Sequence, residues 1–295
     1  GMGKDLYEHS AAVRGLYALA ADEMHYDIAR LSFEGPAEEL KQTRFTQPAI
    51  LLHSLAVLTV LGERIPAFDY AAGHSLGEYG ALAAAGALTY EQAIRAVVRR
   101  ASLMEDACRQ RPGTMAAIMG LDGERVEAVC REASAAGVVV PANYNSGIQL
   151  VISGSVEGID RAIELAKAAG AKRAMKLEVG GAFHSPLMEP AREGLREYLA
   201  DREIRTPSKP VVANVTAESV GDAETIRRLL VEQITSPVKW AQTMAYLVAQ
   251  GVTTIYEIGP GKVLTGLAKR DMNGPVSVNL DTLADIEALG AVQTN

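Results

Sequence analysis

Gly73-His74-Ser75-Leu76-Gly77 follows the apolar run Ala67-Phe68-Asp69-Tyr70-Ala71-Ala72 and precedes a helix-like segment from Glu78 to Gly86. A Gly-x-Ser-x-Gly between a strand and a helix is the pattern of a nucleophile elbow. The flanking glycines carry no β-carbon, so the backbone can turn sharply and leave the serine oxygen exposed. The helix that follows aims its free N–H groups and positive dipole end at the same spot. Such geometry suits a serine that attacks an acyl carbon and leaves an oxyanion to be stabilised. A glycine-flanked turn carrying a surface serine is the plainer alternative. The strand-turn-helix context favours the elbow.

The 295 residues are 48% hydrophobic and 22% charged, enough for one large domain or two modest ones with a sizeable core. Cys108 and Cys130 both sit in apolar-periodic helical stretches, so reduced thiols in a cytoplasmic protein are expected rather than a disulfide framework. A net charge of −7 argues against nucleic acid as a partner. The best membrane-span candidate, Pro48 to Leu61, is too short and contains His53 and Ser54, so no membrane association is expected. No secretory signal is visible. Gly1-Met2-Gly3 reads as a glycine placed ahead of an initiator methionine, or as a start partway through a loop.

Apolar runs rich in Val, Ile and Tyr alternate with helix-period segments, which predicts an α/β protein. In the outer parts, strands are expected over Phe68–Gly73, Val211–Val215 and Thr253–Ile258. Helices are expected over Ala49–Leu61, Tyr90–Ala107, Ala223–Ile234 and Gln242–Ala249. The middle reads strand Thr114–Leu121, helix Gly123–Ala136, strand Val138–Asn143, strand Ile148–Ser153, helix Val156–Ala168 and strand Arg173–Val179. That β-α-β-β-α-β order is the ferredoxin-like pattern. It predicts a small domain over 113–180, inserted into a large α/β domain made of 1–112 and 181–295.

A serine nucleophile needs a base, usually histidine. His9 and His25 stand in polar helical sequence and read as solvated; His53 reads as a core histidine, and His74 is locked beside Ser75. His184 stands in Gly180-Gly181-Ala182-Phe183-His184-Ser185-Pro186, a turn-rich loop of the kind that carries catalytic groups. Nothing local fixes its partner. Arg100 interrupts an apolar helix face formed by Ala93, Ala96, Val97, Met104 and Ala107, whereas Arg99 shares the polar face with Arg95, Ser102 and Asp106. A buried guanidinium needs a partner. Two readings stay open: a structural ion pair, or a fork for a ligand carboxylate. Gly259-Pro260-Gly261-Lys262 lacks the ending and spacing of a phosphate loop. No cluster has metal-ligand spacing, so no metal is expected.

Taken together, these residues resemble the malonyl-CoA:acyl-carrier-protein transacylases of fatty-acid synthesis and the related acyltransferase domains of polyketide synthases. The resemblance covers nearly the whole chain. Besides Gly73 to Tyr79 it takes in Thr46-Gln47-Pro48-Ala49, Asn143-Tyr144-Asn145-Ser146, Ala182-Phe183-His184-Ser185, Ser236-Pro237-Val238-Lys239-Trp240 and Glu257-Ile258-Gly259-Pro260-Gly261-Lys262-Val263-Leu264. It implies a hydrolase-like large domain with a parallel-sheet core, and an active site in the cleft between the domains. Ser75 is then the nucleophile and His184 the general base and acid. The Gln233 carbonyl orients the histidine, and Leu76 donates an oxyanion-hole N–H. Arg100 binds the malonyl carboxylate, Phe183 crowds out an α-methyl branch, and Gln47 and Asn145 line the substrate site. The implied partners are malonyl-CoA and an acyl carrier protein, with no cofactor, and a monomer is expected. Lys172, Arg173, Lys262, Lys269 and Arg270 are candidates for docking an acidic carrier. Family members begin with a strand ending in Gly-Gln-Gly-Ser-Gln, whose glutamine is a second oxyanion donor; this sequence starts after it. A serine hydrolase or thioesterase using the same elbow, and a non-catalytic family member, are the alternative readings.

Overall fold

In the computed structural model, which describes residues 2–269 and 275–293, helices alternate with short strands in an α/β arrangement. The chain forms two compact units. One comprises Gly1–Ala101, Arg205–Val211 and Val248–Asn295, the other Ser102–Ile204 and Val212–Leu247.

In the first unit, helix Thr43–Leu61 is the central core element, burying Leu51, Leu52, Leu55, Leu58 and Leu61. It begins six residues before the apolar period that predicts Ala49–Leu61. Pro48 lies inside it, where its missing N–H removes one intrahelical bond near the helix start. Among the described residues this is the one helix long and apolar enough to cross a membrane, and it is buried along most of its length. Its polar residues are tied to the C-terminal strands. Ser54 Oγ donates to the Ile258 carbonyl at 3.0 Å. His53 Nε2 lies 2.8 Å from the Asp281 carbonyl oxygen and 2.9 Å from its carboxylate. Those strands, Thr254–Ile258 and Val276–Leu280, pair in parallel with Ile258 opposite Leu280.

The strand before the elbow shrinks to Ala71–Ala72, shorter than the predicted Phe68–Gly73. Ala71 N–H donates to the Pro210 carbonyl at 3.0 Å, just before the partner strand Val211–Val212. The predicted strand Val211–Val215 likewise stops at Val212. Beyond it the chain turns, with Ala217 N–H on the Ala213 carbonyl and Ala213 N–H on that of Glu218.

The second unit contains the run Thr114–Met119, helix Gly123–Ala133, Val139–Ser146, Gln149–Gly154, helix Val156–Ala168 and Arg173–Lys176. Its four strands form one antiparallel sheet in the order Val139–Ser146, Gln149–Gly154, Thr114–Met119, Arg173–Lys176. Asp122 and Ser155 cap the two helices through their side-chain oxygens. Strand alternation divides the residues between two faces. Ile118, Leu150 and Ile152 pack against Val126, Val129 and Ile159 of the helices. Met115, Ala142 and Val151 face the other way, with Leu177 and Phe183 against them. Val238 joins the outer strand, donating to the Ala142 carbonyl at 2.8 Å and accepting from Tyr144 N–H at 2.9 Å.

Candidate active site

Ser75 has φ 52°, in the left-handed region that a side-chain-bearing residue rarely occupies. The turn is possible because of Gly73. A β-carbon there would lie 2.0 Å from the Gly77 carbonyl carbon and oxygen, and 2.6 Å from the Glu78 nitrogen. A β-carbon on Gly77 would meet open space, so the steric demand falls on the first glycine alone. Helix Gly77–Ala84 starts directly after the serine. Gly77 N–H bonds the His74 carbonyl at 2.9 Å, Glu78 N–H that of Ser75 at 3.1 Å, and Tyr79 N–H that of Leu76 at 3.1 Å. Among the described residues no backbone carbonyl accepts from the Leu76 N–H.

Arg100 is 1% exposed in helix Tyr90–Gln110, while its neighbour Arg99 faces solvent. That division is the one a 3.6-residue period gives. Its two terminal nitrogens donate to uncharged oxygens: Nη1 to Gln47 Oε1, and Nη2 to Ser75 Oγ at 3.0 Å. The guanidinium carbon also lies 5.9 Å from the centre of the Tyr79 ring, a favourable cation–π distance. Burial pushes the Arg100 pKa below the usual arginine range, and Tyr79 and Glu78 oppose that shift. Gln47 and Glu78 are both buried. Serine hydroxyl, guanidinium and amide thus meet within the first unit.

His184 also lies in the left-handed region, with φ 57°, and is 3% exposed. Its Nδ1 lies 2.9 Å from the Gln233 carbonyl oxygen. A carbonyl only accepts, so Nδ1 carries the hydrogen and the neutral ring presents its lone pair at Nε2. Gln233 follows helix Ala223–Glu232, whose last carbonyls have no intrahelical donors. Its oxygen also accepts from Ser236 N–H at 3.4 Å. The loop before the histidine is held by Ser185, whose Oγ donates to the Ala182 carbonyl at 2.6 Å and accepts from Leu187 N–H at 3.2 Å. Gly181 is required there, because a β-carbon would sit 2.1 Å from Cys108 Sγ. Phe183 is half-buried against Met115, Ala142 and Val151, and Asn145 is half-buried near the end of strand Val139–Ser146. His184, Gln233, Phe183 and Asn145 all belong to the second unit; Ser75, Leu76, Gln47 and Arg100 belong to the first.

Two contacts escaped the residue-level reading. Gln47 as a partner of Arg100 has no local signal, since the two stand 53 residues apart. Buried Glu78 beside the elbow reads in sequence as an ordinary acidic residue in a first helical turn. Near the C-terminus, Glu257 accepts from Leu264 N–H at 2.9 Å and Thr265 N–H at 2.7 Å. An internal carboxylate therefore satisfies two N–H groups at the start of helix Val263–Ala268. Among the described residues no group of three or more His, Cys, Asp or Glu could hold a metal ion. His9 and His25 are exposed, as are Lys172, Arg173, Lys262 and Lys269; Arg270 lies outside the described residues.

Residues 1–288 match the family model for the acyl transferase domain. The chain is 46% identical over 271 residues to the malonyl CoA-acyl carrier protein transacylase of Bacillus subtilis (strain 168), covering 92% of this chain and 86% of that one. It is 44% identical over 273 residues to that of Escherichia coli (strain K12), covering 92% and 88%. Among solved structures it superposes with a TM-score of 0.93 and 42% identity on a malonyl-transacylase in complex with a type II PKS acyl-carrier protein, covering 100% and 95% of the two chains. An acyl carrier protein S-malonyltransferase from Vibrio cholerae gives a TM-score of 0.92 at 41% identity, covering 98% and 95%. A strained serine ahead of a helix, with an arginine on its oxygen, and a carbonyl-oriented histidine accompany similarity along the full matched length: the chain belongs to the acyl transferase domain family, among the malonyl-CoA:acyl-carrier-protein transacylases.

Proposed function

We propose that the chain transfers a malonyl group from malonyl-CoA to the phosphopantetheine thiol of an acyl carrier protein, through a malonyl-Ser75 ester. The observation that carries this reading is the Arg100 donor 3.0 Å from Ser75 Oγ, in a family whose named members handle malonyl groups. A guanidinium fork beside the nucleophile suits an acyl chain ending in a carboxylate.

His184 Nε2 takes the Ser75 proton as Oγ attacks the thioester carbon. The Leu76 N–H stabilises the oxyanion, supported by its lack of a backbone acceptor among the described residues. When the intermediate collapses the C–S bond breaks, and the CoA sulfur receives the proton from His184. In the second half, the carrier thiol gives its proton to His184 and attacks the ester carbon. The C–O bond breaks and Ser75 recovers its hydrogen, so the kinetics are ping-pong. The Gln233 carbonyl keeps His184 in the Nδ1–H tautomer throughout, the orienting role that an acid fills in other triads. Arg100 holds the malonyl carboxylate. Gln47 and Asn145 line the substrate site, and the Phe183 ring disfavours α-branched acyl groups. Malonyl-CoA and the carrier thiol supply all the reacting groups.

The domain reading is an inserted small domain over 113–180 in a large hydrolase-like domain of 1–112 and 181–295. The order of the antiparallel sheet, second-third-first-fourth strand of the run, supports a ferredoxin-like topology. The parallel pair Thr254–Ile258 and Val276–Leu280 supports a parallel core in the large domain. We place the enzyme in the cytoplasm, with an acidic carrier docking on exposed basic residues such as Lys172 and Arg173.

Intact-protein mass spectrometry after brief incubation with malonyl-CoA tests the reading. A single malonyl adduct is expected on the unaltered chain and none on Ser75→Ala. An adduct that survives the substitution would sink the mechanism.

A further inference from the structure

We infer that Ser185 is a positioning residue: its hydroxyl closes the turn that carries His184 and so keeps the His184 Nδ1 on the Gln233 carbonyl, in the Nδ1–H form that proton transfer at Nε2 requires. The inference rests on the proposed role of His184 as base and acid, and extends it to a side chain that acts through the histidine.

Ala182–Ser185 is a turn with Phe183 and His184 at its centre. His184, its third residue, has φ 57°. A positive φ at that position of a turn usually falls to glycine, and a residue with a side chain stays there only when its neighbours enforce it. Ser185 supplies such a restraint. Its Oγ donates to the Ala182 carbonyl across the turn at 2.6 Å and accepts from Leu187 N–H on the far side at 3.2 Å. Donor and acceptor are thus both used, and His184 lies under the first of the two bonds. Ala182 and Ser185 are both 0% exposed, so removing the hydroxyl strands a buried carbonyl out of reach of solvent.

The stem of the loop is fixed by packing, which leaves its crown to the serine. A β-carbon on Gly113 would lie 2.7 Å from Ala182 Cβ and 3.1 Å from Leu187 Cδ1, so the two residues that Ser185 bonds both pack on one glycine. Gly181 packs on Cys108 Sγ with similar closeness. Beyond the turn, the Ser185 carbonyl accepts from Met188 N–H at 3.0 Å, and the short helix Pro186–Met188 leads into helix Glu189–Leu199. His184 therefore rises from a turn anchored on both sides, with the hydroxyl bond across it. Its target, the Gln233 carbonyl, stands 49 residues away in the chain, at the end of helix Ala223–Glu232. A small rotation of the turn is enough to break a directional bond of 2.9 Å.

The test compares the unaltered chain, Ser185→Ala and His184→Ala in malonyl transfer from malonyl-CoA to free pantetheine. It is paired with nitrogen-15 NMR of histidine-labelled protein at about pH 8, where imidazoles are neutral. His184→Ala identifies the His184 signals among those of the five histidines. For Ser185→Ala, kcat should fall roughly ten- to a hundredfold, part of what a well-placed acid–base group contributes, with KM for malonyl-CoA little changed. The His184 ring should pass from the Nδ1–H form to a mixture of both tautomers. Signals of folded molecules carry this readout, so a fraction of unfolded chain does not imitate it. An unaltered kcat overturns the inference, and so does a loss confined to KM. A lower kcat with the Nδ1–H form intact also overturns it, since Ser185 would then not act through the histidine tautomer. If His184→Ala transfers malonyl at nearly the unaltered rate, the proposed role of His184 fails and the inference falls with it. If His184→Ala is inactive while Ser185→Ala retains both rate and tautomer, the inference alone fails.

Discussion

At the scale of single residues, Ser75 and His184 are two of four side-chain-bearing residues with positive φ among the described residues, the others being His25 and Ala217. Ser75 at 52° and His184 at 57° are side-chain-bearing residues held where glycine is usually found, and such strain persists only when the surroundings enforce it. For Ser75 the enforcement is visible at Gly73. Gly73→Ala would put a methyl group 2.0 Å from backbone atoms of Gly77, which cannot step aside as a side chain could. A loss of stability of about 3 kcal/mol or more is expected, read as a lower midpoint in urea unfolding. Gly77→Ala meets nothing within 4 Å and should be neutral or stabilising by up to about 1 kcal/mol. Equal costs at the two positions would mean that close backbone approach is not what the first glycine provides. The serine motif was readable because sterics between near neighbours are written in the sequence. The burden of Gly73 and the freedom of Gly77 were not, since the motif treats them alike.

Among the secondary-structure elements, helices were more legible than strands. Helix Val156–Ala168 matches its predicted bounds, and helix Tyr90–Gln110 has its apolar stripe and its buried arginine on the faces that the period assigns. Each helical turn closes its own hydrogen bonds, so a local pattern suffices. The strands near the elbow depend instead on partners distant in the chain, Ala71 N–H bonding the Pro210 carbonyl. Helix Val263–Ala268 shows a similar dependence at its start. Its six residues follow a glycine-rich turn that sequence alone could offer to a phosphate, yet Glu257 satisfies two of its N–H groups. Glu257→Gln keeps one acceptor and loses the charge, and should cost about 1–2 kcal/mol in urea unfolding. An unchanged midpoint would show that the cap contributes nothing.

For the whole molecule, burial decides which reactive groups can act. Cys108 and Cys130 are free, and burial pushes their thiols up to about 11 and about 12. A thiol held that high stays protonated at pH 8, and only the thiolate is a strong nucleophile. Neither cysteine should react appreciably with iodoacetamide at pH 8 in the folded protein, while both should react after unfolding in urea. Rapid labelling of the folded chain would show that the thiols are not shielded as described. Similarity to transacylases along the matched length agrees with the burial pattern: Ser54, His53 and Arg100, each awkward in an apolar helix, all have partners inside the fold.

The sequence by itself determined the α/β class, the β-α-β-β-α-β run, the serine turn and the odd arginine on an apolar helix face. Each of these follows from interactions between residues a few positions apart: the helical and strand periods and the reach of a β-carbon. Resemblance added roles for His184 and Gln233 that the residues alone left open. Only the tertiary structure decided that Arg100 bonds both Gln47 and Ser75, that the Gln233 carbonyl fixes the His184 tautomer, and that Glu257 fills the start of the last glycine-rich turn's helix. The first two of these join residues 25 to 53 positions apart. Contacts at that separation exist only once packing has fixed the paths between them, so no local pattern encodes them.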